Sequence, residues 1–184
     1  MKLSYLSKRQ IRRSFILFSL VFIQLTNSYT QTYFCDLEDP IISNIWIGQQ
    51  TIDSGLAHSG YFVSVTDSIN PYGLGMEMLF PDENKVKNTR VSINGWVKSS
   101  ESFPDAKFVV TVLNHGQELF WEGIRLDTVI RNKDVWFNFS GIFKFPASIT
   151  KEAVFKCFLW NVNQKNIVSI DDLKIQFEKL DTPT

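Results

Sequence analysis

The sequence is short of the residues that most catalytic chemistry needs. Its 184 residues include two cysteines, Cys35 and Cys157, and two histidines, His58 and His115. That scarcity excludes a cysteine–histidine zinc site and a disulfide-dense scaffold. It leaves two side chains able to act as neutral-pH bases, and both read as loop residues: His115 in "NHGQ", His58 just before "SG". No serine stands in a GxSxG setting. An enzyme is therefore not expected. Helical spacing of apolar residues is missing over any three-turn stretch, and internal repeats and low-complexity segments are absent. A basic stripe is missing too. The 19 Lys+Arg equal the 19 Asp+Glu, but five of the basic residues lie in the first 13 positions. A chain without that leader keeps 14 basic against 19 acidic residues, a net near −5. Nucleic-acid affinity depends on neutralising phosphates, so no nucleic-acid partner is expected.

The leader itself has a recognisable order. "MKLSYLSKRQIRRS" is basic, "FILFSLVFIQL" (15–25) is apolar, and "TNSYTQT" is small and polar. This is the pattern of a secretory signal peptide. The apolar run of 11 residues is too short to span a bilayer, which takes about 20. The expectation is a signal peptide over 1–30, cut near Ser28 or Thr30, and an exported mature chain with no membrane span. Its destination is the periplasm, the cell surface or the medium. Export permits a disulfide between Cys35 and Cys157, but Cys157 alternates with Phe155 and Leu159 on an apolar face, where a free thiol packs equally well. Both readings stand.

Residues 31–180 read as one all-β domain, with 181–184 a frayed tail. "GYFVSVTD", "YGLGMEMLF", "TRVSINGWVKS", "AKFVVTVLN", "ELFWEGIRL", "VWFNFSGIFKF", "AVFKCFLWN" and "IVSIDDLKIQF" are rich in β-branched and aromatic residues. Turn clusters such as "DSINP", "SSESFPD" and "NHGQ" separate them. Eight or nine short strands predict a β-sandwich or barrel. Alternation puts Trp96 with Asn94 and Lys98 on a polar side, and Phe158 and Trp160 on a side with Lys156. Trp136 is assigned to core filling.

The closing strand poses a question. In "VSIDDLKIQF" (168–177), strict alternation places Asp171 with Leu173, Ile175 and Phe177, facing inward. An ionised carboxylate turned inward costs several kcal/mol unless a cation or hydrogen-bond donors meet it.

The ordered run "DLE" (36–38), "HSGYFVSV" (58–65), "VSINGWVKS" (91–99), "VWFNFSGIFKFP" (135–146) and "SIDDLKI" (169–175) resembles the galactose-binding-like jelly roll of bacterial carbohydrate-binding modules, of the CBM4/9/22 type. The resemblance implies a jelly-roll β-sandwich whose closing strand lies beside its opening segment. It also implies a structural Ca²⁺ held by Glu38, carbonyls around His58–Gly60 (Gly60 among them) and Asp171, chemistry that suits a cation needing six to eight oxygens. The function it implies is non-catalytic binding of a polysaccharide or oligosaccharide on a concave sheet face. Flat sugar faces stack on aromatic rings while hydroxyls bond planar polar groups. The expected platform is Trp96 and Trp160, with Asn94 and Glu77 as hydrogen-bonding partners and Trp121, with Arg125, as an extension. The alternative is a secreted structural or adhesion protein that uses the same surface for a protein partner.

Overall fold

The computed structural model describes residues 30–39, 43–80, 89–146, 149 and 152–179. The signal-peptide expectation and the 181–184 tail fall outside the described residues, apart from Thr30. Among the described residues there are eleven strands: β1 (Thr30–Cys35), β2 (Trp46–Ile47), β3 (Ile52–Ser54), β4 (Phe62–Thr66), β5 (Tyr72–Leu79), β6 (Thr89–Ser99), β7 (Ala106–Asn114), β8 (Gln117–Arg125), β9 (Phe137–Lys144), β10 (Val154–Asn161) and β11 (Val168–Lys179). Two 3₁₀ turns, Gln49–Thr51 and Leu126–Thr128, are the only helical pieces among the described residues.

The strands form two antiparallel sheets. The first runs β3-β4-β11-β6-β9, with β1 also paired to β11; the second runs β2-β5-β10-β7-β8. This is the jelly-roll sandwich, and the closing strand does lie beside the opening one, Tyr33 opposite Ile175 and Cys35 opposite Leu173. Alternation explains the layering. In β10, Phe155, Cys157 and Leu159 are fully buried while Val154, Lys156, Phe158 and Trp160 are half-buried on the outside. In β6, Val91, Ile93 and Val97 face in and Trp96 and Lys98 face out. Phe80, Phe145, Phe155 and Phe177 meet edge to face between the sheets, with centroids 5.0–6.1 Å apart. Such pairs add about 0.5–1.5 kcal/mol beyond the area they bury.

β7 and β8 form a hairpin through His115 (φ 47°) and Gly116 (φ 80°), the two left-handed positions of a two-residue turn. His115 is thus a turn residue, as the sequence suggests. Cys35 and Cys157 are both buried free thiols. Burial pushes Cys35 up to about 11 and Cys157 up to about 12.

The face of Asp171 needs correction. Val168 and Ile170 point inward, and so do Leu173, Ile175 and Phe177, a switch of phase that strict alternation forbids. A β-bulge causes it: Asp171 pairs with Trp96 and Lys174 with Asn94, three steps on one strand against two on the other. The extra residue is Asp172, at φ 50°. Asp171 therefore shares the outer face with its partner Trp96 rather than joining Leu173 in the core.

Candidate functional site

Asp171 lies on an outer face yet is 0% exposed, because the loop between β3 and β4 covers it. Its Oδ2 accepts the backbone N–H of His58 at 2.8 Å and of Ser59 at 3.2 Å, and its Oδ1 accepts the N–H of Asp172 at 2.7 Å. Glu38 grips the next part of the loop: its Oε1 accepts the N–H groups of Tyr61 and Phe62, both at 2.8 Å. Gly60, at φ 64°, turns the chain between the two grips. A Cβ there would lie 2.3 Å from Glu38 Cδ, so only glycine fits. Asp172 adds a third hold, with Oδ1 accepting from Ser59 Oγ at 2.8 Å and Oδ2 lying 2.7 Å from His58 Nδ1. Burial pushes the Asp171 carboxyl above its ordinary value, and the amide bonds from Ser59, Asp172 and His58 only partly offset that.

Amides thus meet the buried carboxylate. The donors turned toward Asp171 and Glu38 are N–H groups, whose positive ends already satisfy three of the four carboxylate oxygens. A calcium cradle presents carbonyl oxygens instead. Among the described residues, no group of three or more acidic, histidine or cysteine side chains is placed to hold a metal. Glu38, Gly60 and Asp171 are brought together as a loop clamp built on backbone amides.

The same loop closes over Trp96. The His58 ring stacks on it at 3.9 Å between centroids and 13° between planes, and Trp136 meets His58 edge-on at 5.8 Å. Lys98 Nζ sits 4.7 Å over the Trp136 ring and donates to Leu56 O at 2.7 Å. Burial holds the Lys98 ammonium below its ordinary value. Trp136 is accordingly half-buried outside the sandwich, under Lys98 and His58, and does not fill the core. Asn94 is tied to Asn138 across the strands, Nδ2 to Oδ1 at 3.0 Å. Trp96 and Asn94 belong to the first sheet, whereas Trp160, Glu77 and Trp121 belong to the second. Two tryptophans facing outward from opposite layers of a sandwich about 10 Å thick cannot make one platform. The expected pairing of Trp96 with Trp160 fails for that reason.

The second sheet keeps an open outer face, and its pairing register lays that face out in transverse rows. One row is Tyr72 (β5), Trp160 (β10), Lys107 (β7) and Arg125 (β8). The next is Ile47 (β2), Gly75, Phe158, Val109 and Gly123. The third is Glu77, Lys156, Thr111 and Trp121. Tyr72 and Trp160 lie near-parallel at 6.3 Å and 24°, and Tyr72 meets Phe158 edge-on at 5.7 Å. Tyr72 is 51% exposed and Trp121 42%. Lys156 pairs with Glu77 at 3.0 Å, and Arg125 pairs with Asp127 in the next turn. At the β2 end, Ile47, Gly48, Gln50, Tyr72, Gly73, Lys156 and Phe158 line an open groove of about 410 Å³. At the β8 end, Lys107 leans over Gly123, where an added Cβ would touch Lys107 Cδ at 3.6 Å and Trp121 Cη2 at 3.7 Å. The Thr111 hydroxyl between these ends is buried with no hydrogen-bond partner among the described residues.

Trp160, Glu77, Trp121 and Arg125 therefore lie on one face, without the expected partners Trp96 and Asn94. Tyr72, Phe158 and Lys107 complete it. The alternation that places Trp160 outward also places Phe158, so that residue was legible; Lys107 joins them only through the pairing of β7 with β10, and Tyr72 was hidden by the irregular "PYGLG" start of its strand. Asn161, next to Trp160, turns inward and donates to Asn166 O at 2.7 Å.

No family model matches the sequence, and no curated protein matches it. Solved structures do match the fold. The tandem CBM22-1–CBM22-2 domain of Paenibacillus barcinonensis Xyn10C aligns with a TM-score of 0.52 at 15% identity, over 86% of this chain and 49% of that one. A structure titled "Family 16 Carbohydrate Binding Module-2" aligns at a TM-score of 0.47 and 15% identity, over 67% of this chain and 82% of that one. A cyclase from Fischerella sp. TAU aligns at 0.44 and 13%, over 84% and 77%. At such identities the shared property is the architecture: the chain has the jelly-roll fold, as the CBM22 tandem domain does.

Proposed function

We propose that this protein is an exported, non-catalytic glycan-binding domain that takes a polysaccharide or oligosaccharide across the outer face of its second sheet. The observation that carries the reading is the outward set Tyr72, Phe158, Trp160 and Trp121, spread over β5, β10 and β8 beside a groove of about 410 Å³. Five strands about 4.8 Å apart make a face roughly 19 Å across, long enough for a short run of sugar units. Aromatic rings supply flat apolar contact for sugar C–H faces. Glu77, Lys156, Gln50 and Arg125 stand among them as hydrogen-bonding groups for hydroxyls, the few-polar-groups-on-apolar-walls composition of a ligand site. Solved carbohydrate-binding modules of the same fold support the reading, and export rests on the leader sequence.

Affinity gels cast with a broad panel of soluble polysaccharides test it. The mature chain should be retarded by at least one polymer. W160A and W121A should lose that retardation while keeping the wild-type thermal transition, and W96A, altered on the opposite sheet, should retain it once folded. A wild-type chain retarded by none of the panel defeats the proposal, and a protein partner then becomes the occupant to seek.

A further inference from the structure

We infer that the glycan taken by this face carries carboxylate groups, that is, a uronate-containing polysaccharide, and that Lys107 is the residue that reads the charge. The inference rests on the glycan-binding reading above and adds the chemical class of the ligand. Its basis is a charge left over in the middle of the aromatic platform. Lys156 is neutralised by Glu77 at 3.0 Å, and Arg125 by Asp127. Lys107 is different. Among the described residues it has no carboxylate partner, and its ammonium stands 5.7 Å from the centroid of Trp121 and 5.8 Å from that of Trp160. Its stem lies over Gly123, where an added Cβ would meet Lys107 Cδ in ordinary van der Waals contact at 3.6 Å.

Position makes this cation more than a surface lysine. A sugar ring stacked on Trp160 or on Trp121 puts its substituents within reach of the same ammonium. Closing a ligand over the face also strips water from that charge. A neutral sugar leaves it desolvated with only hydroxyl acceptors, whereas a carboxylate pairs with it, and a charge-assisted hydrogen bond is about twice as strong as a neutral one. Two other carboxylates lie near this face: Glu118, on β8 one row beyond Trp121, and Asp105, two residues before Lys107, which acts on Arg125. The selection is local, because a mature chain near −5 repels polyanions elsewhere on its surface.

The test uses uronate polysaccharides, such as polygalacturonate and alginate, each matched with its carboxyl-reduced neutral form, titrated against the mature chain by calorimetry in low salt. Wild type should bind at least one acidic member about tenfold more tightly than its reduced partner, a usual scale for one close charge pair. K107M should bring the two forms to parity, and K107R should keep the preference. Raising the salt should erode only the acidic advantage. Equal binding of acidic and reduced forms by wild type, binding of neutral polymers alone, or a K107M chain that keeps the full preference overturns the inference and leaves the glycan-binding reading intact. Binding to no polysaccharide of any kind overturns both.

Discussion

Replacing Asp171 by alanine tests how the loop over the first sheet is held. The substitution strands three backbone donors at once, the N–H groups of His58, Ser59 and Asp172. A buried donor left without a partner costs about 1–3 kcal/mol. Ser59 is exposed, so water can reach part of the loop and the three terms do not simply add. A loss of roughly 3–5 kcal/mol follows, which for a domain of about 150 residues lowers Tm on the order of 10 °C. E38A should cost much less, because the Tyr61 and Phe62 amides it releases belong to exposed residues and can bond water. The pH profile adds a second handle. Burial raises the folded-state value of Asp171 above its ordinary 3.8, so protonation favours the folded form. Its contribution is therefore fully present below pH 3.8 and is lost as pH rises through the raised folded value. D171N should flatten that part of the curve. Differential scanning calorimetry of wild type, D171A, D171N and E38A, each with excess Ca²⁺ and with EGTA, reads all of this. A D171A chain melting within 2–3 °C of wild type, a difference worth about 1 kcal/mol, refutes the amide clamp. A wild-type Tm that climbs with Ca²⁺ while that of D171A does not would show that a cation, and not the amides, meets the carboxylate.

Gly48 sits at φ 80°, and a Cβ there would lie 2.3 Å from the Gly73 carbonyl oxygen, beneath the groove that both residues line. G48A should lose about 2–4 kcal/mol in chemical denaturation, from left-handed strain plus the displaced strand, and an unchanged midpoint would show that the close approach is not required. Cys35 and Cys157, raised to about 11 and about 12 and buried, should not react with a disulfide reagent at pH 8 until the chain is unfolded; rapid labelling of either native thiol would contradict their placement in the core.

The layered architecture was legible because the long strands obey period two: "TRVSINGWVKS" and "AKFVVTVLN" coincide with β6 and β7 from end to end. The short strands β2 and β3 were not, since two or three residues carry no periodicity and owe their pairing to neighbours. Alternation also reports only which side of its own strand a residue occupies, never which sheet the strand joins. Trp96 and Trp160 both read as outward aromatics on polar sides, and both are. Their separation arises from topology, which sends β6 and β10 to different layers. The phase of β11 failed for a different reason. Nothing in "SIDDLK" distinguishes a continuous strand from one with an inserted residue, and the bulge at Asp172 becomes visible only once Ile170 and Leu173 are both found facing the core.

That bulge has a consequence for how the two faces divide their tasks. By adding one residue it turns the Asp171 carboxylate out of the apolar interior and under a loop rich in free N–H groups, where it can stay buried without a counter-ion. The loop it fastens then brings His58 onto Trp96 and closes the first sheet's most aromatic spot to any ligand. The second sheet has no such cover among the described residues, and its rings are propped by one another and by lysine stems: Tyr72 against Trp160 and Phe158, Lys107 between Trp121 and Trp160. Large apolar rings left half in water cost stability that nothing in the fold recovers, and contiguous exposed apolar surface of this kind marks interaction sites. On the proposed reading the recovery comes when a ligand covers them, which would put the binding face on the sheet that the clamp leaves alone.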